Sequence, residues 1–239
     1  VRVKPLVAYA AELAMPALAL TDFSNFFALI KFYKAARAEG IKPIIGADLA
    51  VLEDADSDPY NLLFLVADQQ GYQNLTALIS RAWKEGQRQG QPHLQRSWLA
   101  EHSEGLIVLS SGRFGPLGTA LANDNQERAV QQLAQWQALY PNRFYLEVQR
   151  TGRAGDEDHL HAAVVLSQRS GCPLVATNDV RFLTAAEFDA HEARVCITEG
   201  RTLDDPRRER RYSEQQYLRS GTEMAELFSD LPEALENTL

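Results

Sequence analysis

Short apolar runs alternate with longer stretches of helical spacing along this chain. The strongest helical pattern starts at Tyr72, where Leu75, Leu78, Ile79, Ala82 and Trp83 stand at i, i+3, i+4, i+7 and i+8. That spacing makes one apolar stripe with a 3.6-residue period. Further helices are predicted over residues 4–14, 26–38, 125–140 and 156–170. In 125–140, Val130, Leu133, Trp136 and Tyr140 fall roughly on one side. Short apolar runs predict strands at 16–20 (ending on Thr21-Asp22), 42–52, 61–67, 106–109, 144–148 and 173–176. Residues 86–96 read as a polar, Gln-rich loop. Thr184 with Glu187, and Ser220 with Glu223, read as capping boxes: the hydroxyl accepts from the N3 amide while the glutamate reaches back to the cap amide.

Strands separated by helices imply parallel pairing through right-handed crossovers. About six strands over this length predict an α/β fold, a β/α barrel or a doubly wound sheet. Ligands in such folds gather beyond the carboxyl ends of the strands. Those ends carry Asp22, Asp48, Ser110-Ser111-Gly112, Arg150 and Asn178-Asp179. Several acids on one rim suit a cation, provided enough ligands join them.

Composition narrows the choice. The 239 residues hold 24 Lys and Arg against 32 Asp and Glu, a net charge of −8. A dedicated nucleic-acid-binding module is normally basic, so that class is disfavoured. Hydrophobic residues at 45% and charged residues at 23% fit a folded domain rather than a disordered one. No apolar run approaches a membrane span, and no signal peptide opens the chain. Cys172 and Cys196 are too few for a disulfide framework or a thiolate zinc site. A soluble cytoplasmic protein is expected. The start at Val1 and the end inside a helix-like run suggest a piece of a longer polypeptide.

The five histidines (His93, His102, His159, His161 and His191) miss every predicted strand end. His159 and His161 form an H-x-H pair, but inside a helix i and i+2 do not share a face, so a solvated face is expected. His191 reads as a packing or surface residue, and the two cysteines as small core residues. Asp22 and Asp179 either cap the next helix or belong to a site. No phosphate loop, dinucleotide fingerprint or nucleophile elbow occurs. Residues 201–219 carry six arginines against four acids. They read as a surface strap pairing with acids, with Arg207, Arg208, Arg210 and Arg211 as candidates for backbone-phosphate or interdomain contacts.

Read together, six ordered segments resemble the N-terminal PHP (polymerase and histidinol phosphatase) domain of bacterial DNA polymerase III alpha subunits, proteobacterial type. They are Met15-Pro-Ala-Leu-Ala-Leu-Thr-Asp-Phe23, Gly40-Ile-Lys-Pro-Ile-Ile-Gly-Ala-Asp48, Gly71-Tyr-Gln-Asn-Leu-Thr-Ala-Leu-Ile-Ser80, Gly105-Leu-Ile-Val-Leu-Ser110, Val175-Ala-Thr-Asn-Asp-Val-Arg-Phe182 and Phe188-Asp-Ala-His191. The resemblance implies a distorted β/α barrel, with a PHP domain over 1–200 and an extension over 201–239 leading toward the polymerase core. Metal-bearing members of the family hold divalent ions at the strand ends and can hydrolyse phosphodiesters. Carried onto this chain, Asp22 and Asp179 match acidic ligands. Phe23 stands in place of a His, Asp48 of a Glu, Asn61 of a His, Gly112 of a Cys and Arg181 of the last His. The opening His-x-His motif, with its strand, would precede Val1.

Replacing imidazoles by a phenyl ring and a guanidinium removes electron-pair donors and adds a permanent cation that competes for Asp22 and Asp179. The resemblance therefore implies a degenerate, metal-free site without catalytic residues in this chain. It further implies a structural and docking role. The partners would be the polymerase core of the same polypeptide, the proofreading exonuclease subunit and other replicase subunits. The parent subunit would be a Mg²⁺-dependent DNA-directed DNA polymerase that contacts DNA through its other domains. The competing reading is a metal-dependent PHP phosphoesterase, acting as a 3′–5′ exonuclease or phosphatase. An unrelated β/α-barrel enzyme is a third.

Overall fold

A computed structural model describes residues 1–54 and 56–238. Six principal strands are β1 (Ala17–Phe23), β2 (Lys42–Leu52), β3 (Tyr60–Val66), β4 (Leu106–Leu109), β5 (Phe144–Gln149) and β6 (Leu174–Thr177). They lie side by side in that order and curl into a half-barrel. Nine α-helices accompany them among the described residues: α1 (Val3–Glu12), α2 (Leu29–Ala38), α3 (Gln69–Glu85), α4 (Gly118–Ala122), α5 (Gln126–Leu139), α6 (Asp156–Ser170), α7 (Phe188–Glu199), α8 (Gly221–Leu227) and α9 (Pro232–Glu236).

The sheet is mixed, not all parallel as the strand-helix alternation suggests. β1–β2, β4–β5 and β5–β6 are parallel, whereas β3 runs antiparallel to both β2 and β4. The reason is connection length: only residues 53–59 separate β2 from β3. That is too short for a parallel crossover but ample for a hairpin. The reversal places the start of β3, with Asn61, at the same rim as the carboxyl ends of β1 and β2.

Alternation along each strand separates two faces. Leu49, Val51, Leu62, Phe64, Val108 and Leu146 point to the helical side and are buried in the main core with Leu75, Leu78, Trp136 and Tyr140. Each such burial contributes about 1.5–3 kcal/mol. The opposite face, with Ile44, Leu63, Leu65, Ile107 and Tyr145, is only half-buried and lines a wide cleft of about 1830 Å³. Among the described residues no strand joins the β1 edge to the β6 edge.

The segment from Gly71 owes its pattern to packing. The backbone of Gly71 lies against Gly105, and a Cβ there would collide with the Gly105 carbonyl. Asn74 Nδ2 donates to the Glu104 carbonyl at 2.8 Å, Tyr72 stacks on Phe26, and Asp68 caps the helix at the Gly71 amide. The Ser220 capping box forms in full. The Thr184 box does not: Glu187 accepts from the Leu183 amide instead, and a single 3-10 turn (Ala185–Glu187) leads into α7. The Gln-rich loop contains a tiny hairpin (Gln87–Arg88 with Gln91–Pro92), and Leu94–Gln95 adds to β2.

Candidate functional site

The cleft floor is built from alternate positions of neighbouring strands. On β2 the alternation that turns Ile44 inward also turns Asp48 inward, and its Oδ1 is buried without a hydrogen-bond partner. Burial, and then the nearby Glu147 charge, push the Asp48 carboxyl up to about 7, with Arg181 opposing the shift. Glu147 lies on β5 and is fully buried. Its carboxylate accepts from the Thr177 hydroxyl and from Gln149 Nε2. Its own amide donates to Ser110 Oγ at 2.9 Å. Burial is again the largest cause, and it raises the Glu147 pKa above the ordinary carboxylate range, the two side-chain hydrogen bonds working against it.

Asp179 follows β6 at φ +42°, a left-handed backbone that a non-glycine residue adopts at a cost. Its carboxylate is fully engaged. Arg181 Nη2 lies 2.7 Å from Oδ1, Arg153 Nη1 3.0 Å from Oδ2, and Gln216 Nε2 donates to Oδ2 at 2.8 Å. Arg153 is fixed by Thr151 Oγ1 at 2.8 Å and Gln149 Oε1 at 3.1 Å. The preceding Asn178 caps no helix; its amide donates to the Gln215 and Tyr217 carbonyls at 2.9 and 2.7 Å and pins the incoming strap. Asn178-Asp179 is thus a node joining β6 to residues 213–219.

The remaining sequence candidates spread along the same rim. Asp22 is half-buried at the end of β1 and lines the cleft. Phe23 is exposed and stands opposite Asp48 in the β1–β2 register. Asn61 lines the cleft from β3. Gly112 sits in a 3-10 turn at φ +54°, facing the Glu147 carbonyl. Asp48, Asp179 and Arg181 are close enough to influence one another's charge.

Arg150 is not in the site. Its guanidinium grips Asp230 at 2.5 and 2.8 Å, the Leu227 carbonyl and Glu157, tying the C-terminal helices to β5. His159 corrects the solvated-face expectation: its Nε2 is buried without a partner, and burial lowers its basicity, whereas His161 is exposed. His191 packs between Phe182 and Tyr212, and both cysteines are buried. Arg208 forms a buried ion pair with Glu192, so it does not face solvent. Arg207 pairs with Asp205 and Arg211 with Glu209 at the surface, and Arg210 is exposed.

Sequence reading missed Glu147, Gln149, Thr177, Arg153 and Gln216. One signal was available: Tyr145, Glu147 and Gln149 are polar at every second position of an otherwise apolar strand, which marks a cleft-facing row.

Among the described residues no group of three or more His, Cys, Asp or Glu is placed to hold a metal ion. The donor set does not fit a divalent cluster. Both oxygens of Asp179 are already taken by cationic and amide donors, and the neighbouring Phe23 and Arg181 offer no electron pair.

A curled half-barrel sheet with carboxylates and polar side chains gathered at one rim defines a recognisable class of fold, and comparison with known proteins places it. The PHP domain model matches residues 1–151, and the chain belongs to the PHP-domain family. Over 240 residues it is 57% identical to the DNA polymerase III subunit alpha of Pseudomonas aeruginosa, covering 100% of this chain and 20% of that protein. The corresponding subunit of Escherichia coli K12 is 52% identical over 98% of this chain and 20% of its own length. That of Vibrio cholerae is 48% identical over 100% and 21%. The chain thus spans about a fifth of the length of these curated relatives. A crystal structure from Bifidobacterium adolescentis, named for metal-dependent phosphoesterase activity, shares the fold with a TM-score of 0.50 at 11% identity, over 74% of this chain and 81% of that one.

Proposed function

We propose that the chain is the N-terminal PHP domain of a replicative DNA polymerase III alpha subunit, a scaffold whose metal site has been replaced by internal ion pairs. The observation that carries this reading is Asp179 held between Arg153 and Arg181. Opposite charges about 4 Å apart attract by roughly 4 kcal/mol near a protein surface. An incoming cation must displace such contacts while finding only scattered oxygen ligands. In this reading the parent polypeptide extends DNA with Mg²⁺ bound in another domain. The present domain supports the polymerase core and presents a docking surface to the proofreading exonuclease subunit and other replicase subunits. DNA is contacted through the rest of the polypeptide, in the cytoplasm. Arg207, Arg210 and Arg211 are then solvent-facing contacts for the neighbouring core. No helix among the described residues is long and apolar enough to cross a membrane.

Metal analysis after dialysis against Mn²⁺ or Zn²⁺ tests the site. Retention well below one ion per chain is expected, and stoichiometric retention contradicts the proposal. The unpartnered buried Oδ1 of Asp48 favours a second reading, a metal-dependent phosphoesterase. Burial and the Glu147 charge push that carboxyl up to about 7, so near neutral pH a proton competes with any cation for it. Metal-dependent release of nitrophenol from an aryl phosphate, lost in Asp179→Ala, would establish the phosphoesterase.

A further inference from the structure

The large exposed apolar side chains are not scattered evenly. Phe23, Phe27, Ile30 and Tyr33 fall within one stretch of residues 23–33 and are 46%, 85%, 62% and 45% exposed. Trp83, also exposed, is drawn to the same place by its indole N–H, which donates to the Ser24 carbonyl at 2.8 Å. Phe32 and Ala36 of α2 face inward and are buried, so the exposure is not a consequence of a loose helix. Ile30, Tyr33 and Arg37 follow a spacing of three and four residues, which is one face of α2, and Phe27 stands in the turn that leads into it. Clustered exposure of large apolar side chains marks an interaction surface.

Charge defines what fits it. α2 carries Lys31, Lys34 and Arg37 and no acid, and none of the three joins an ion pair among the described residues. Residues 1–43 carry a net +3, whereas residues 44–239 carry −11. An apolar strip flanked by unneutralised cations, on an otherwise acidic protein, complements an acidic segment with apolar anchors.

We infer that the α2 face, from Phe27 to Arg37 with Trp83, is the docking site for an acidic, apolar-faced segment of the partner subunit. This rests on the docking role proposed above and assigns it a surface and a chemistry. Phe27 and Ile30 are the anchors that enter the partner, and Lys31 and Lys34 steer its carboxylates.

The test is binding of the purified exonuclease subunit to the full-length polypeptide, wild type and variants, at two salt concentrations. Phe27→Asp with Ile30→Asp weakens binding about tenfold or more, as loss of interface anchors does. Lys31→Glu with Lys34→Glu weakens it mainly at low salt and flattens the salt dependence. Ile197→Asp, an equally exposed site on α7, leaves binding unchanged. Wild-type binding that is unaltered in the α2 variants overturns the assignment and leaves the docking role standing. Absence of wild-type binding overturns both. Oxidative footprinting that finds Phe27 and Tyr33 protected before the exonuclease is added also overturns it. So does concentration-dependent self-association, or binding to anionic vesicles, that the α2 variants abolish.

Discussion

Two sides of one cleft solve the same electrostatic problem differently. On the β6 side, Asp179 is neutralised by fixed cations, Arg153 and Arg181. On the β2–β5 side, Asp48 and Glu147 have no cation at hydrogen-bonding range among the described residues; burial raises the pKa of both, and Glu147 accepts from neutral donors. A rim that gathers carboxylates concentrates negative charge in a poorly solvated place. The chain relieves it with guanidinium where a side chain can reach and with raised carboxyl pKa values where none does.

The contrast is broken most strongly by pH. The folded Asp48 carboxyl titrates near 7, far above its unfolded value of 3.8. Between those values the folded state holds a proton that the unfolded state has lost, so stability falls as pH rises from 4 to 7 and then levels. The drop is up to about 4 kcal/mol. Urea unfolding of Asp48→Asn is expected to show little of that slope and a gain over wild type at pH 8; a parallel slope in both proteins would remove the proton side of the comparison.

On the cation side, Arg153→Ala is expected to cost about 3 kcal/mol, because the side chain is 9% exposed and its loss strands a partly buried carboxylate. Arg181→Ala is expected to cost under about 1 kcal/mol, since that side chain is 42% exposed and water screens it. Unfolding midpoints of the two variants give the ranking directly, and equal effects would mean that burial does not set the strength of these pairs. A smaller sharpening comes from the caps. Ser220→Ala should cost about 1 kcal/mol and Thr184→Ala much less, because only the first hydroxyl caps a helix.

Much of the scaffold was legible because it depends on local pattern. The boundaries 42–52, 106–109 and 156–170 follow from apolar runs and acid-rich helix starts, and they recur in the structure. The antiparallel β3 departs from the strand-helix alternation because the link at 53–59 carries no helix and closes a hairpin. His159 was misplaced because a helix with histidines at i and i+2 must turn one inward, and the sequence does not say which. Asp179 and Arg181 lie two residues apart with opposite charge, so their encounter needs no long-range information. Arg153 and Gln216 reach Asp179 from elsewhere in the chain, and only the curl of the sheet brings them there.

The decisive measurement is anomalous diffraction from crystals soaked in Mn²⁺ near neutral pH. If guanidinium groups occupy the place of inorganic ions, Arg153 and Arg181 remain on Asp179 and no anomalous peak stands beside it. A peak within coordinating distance of both Asp22 and Asp179, with either arginine swung away, would contradict the account.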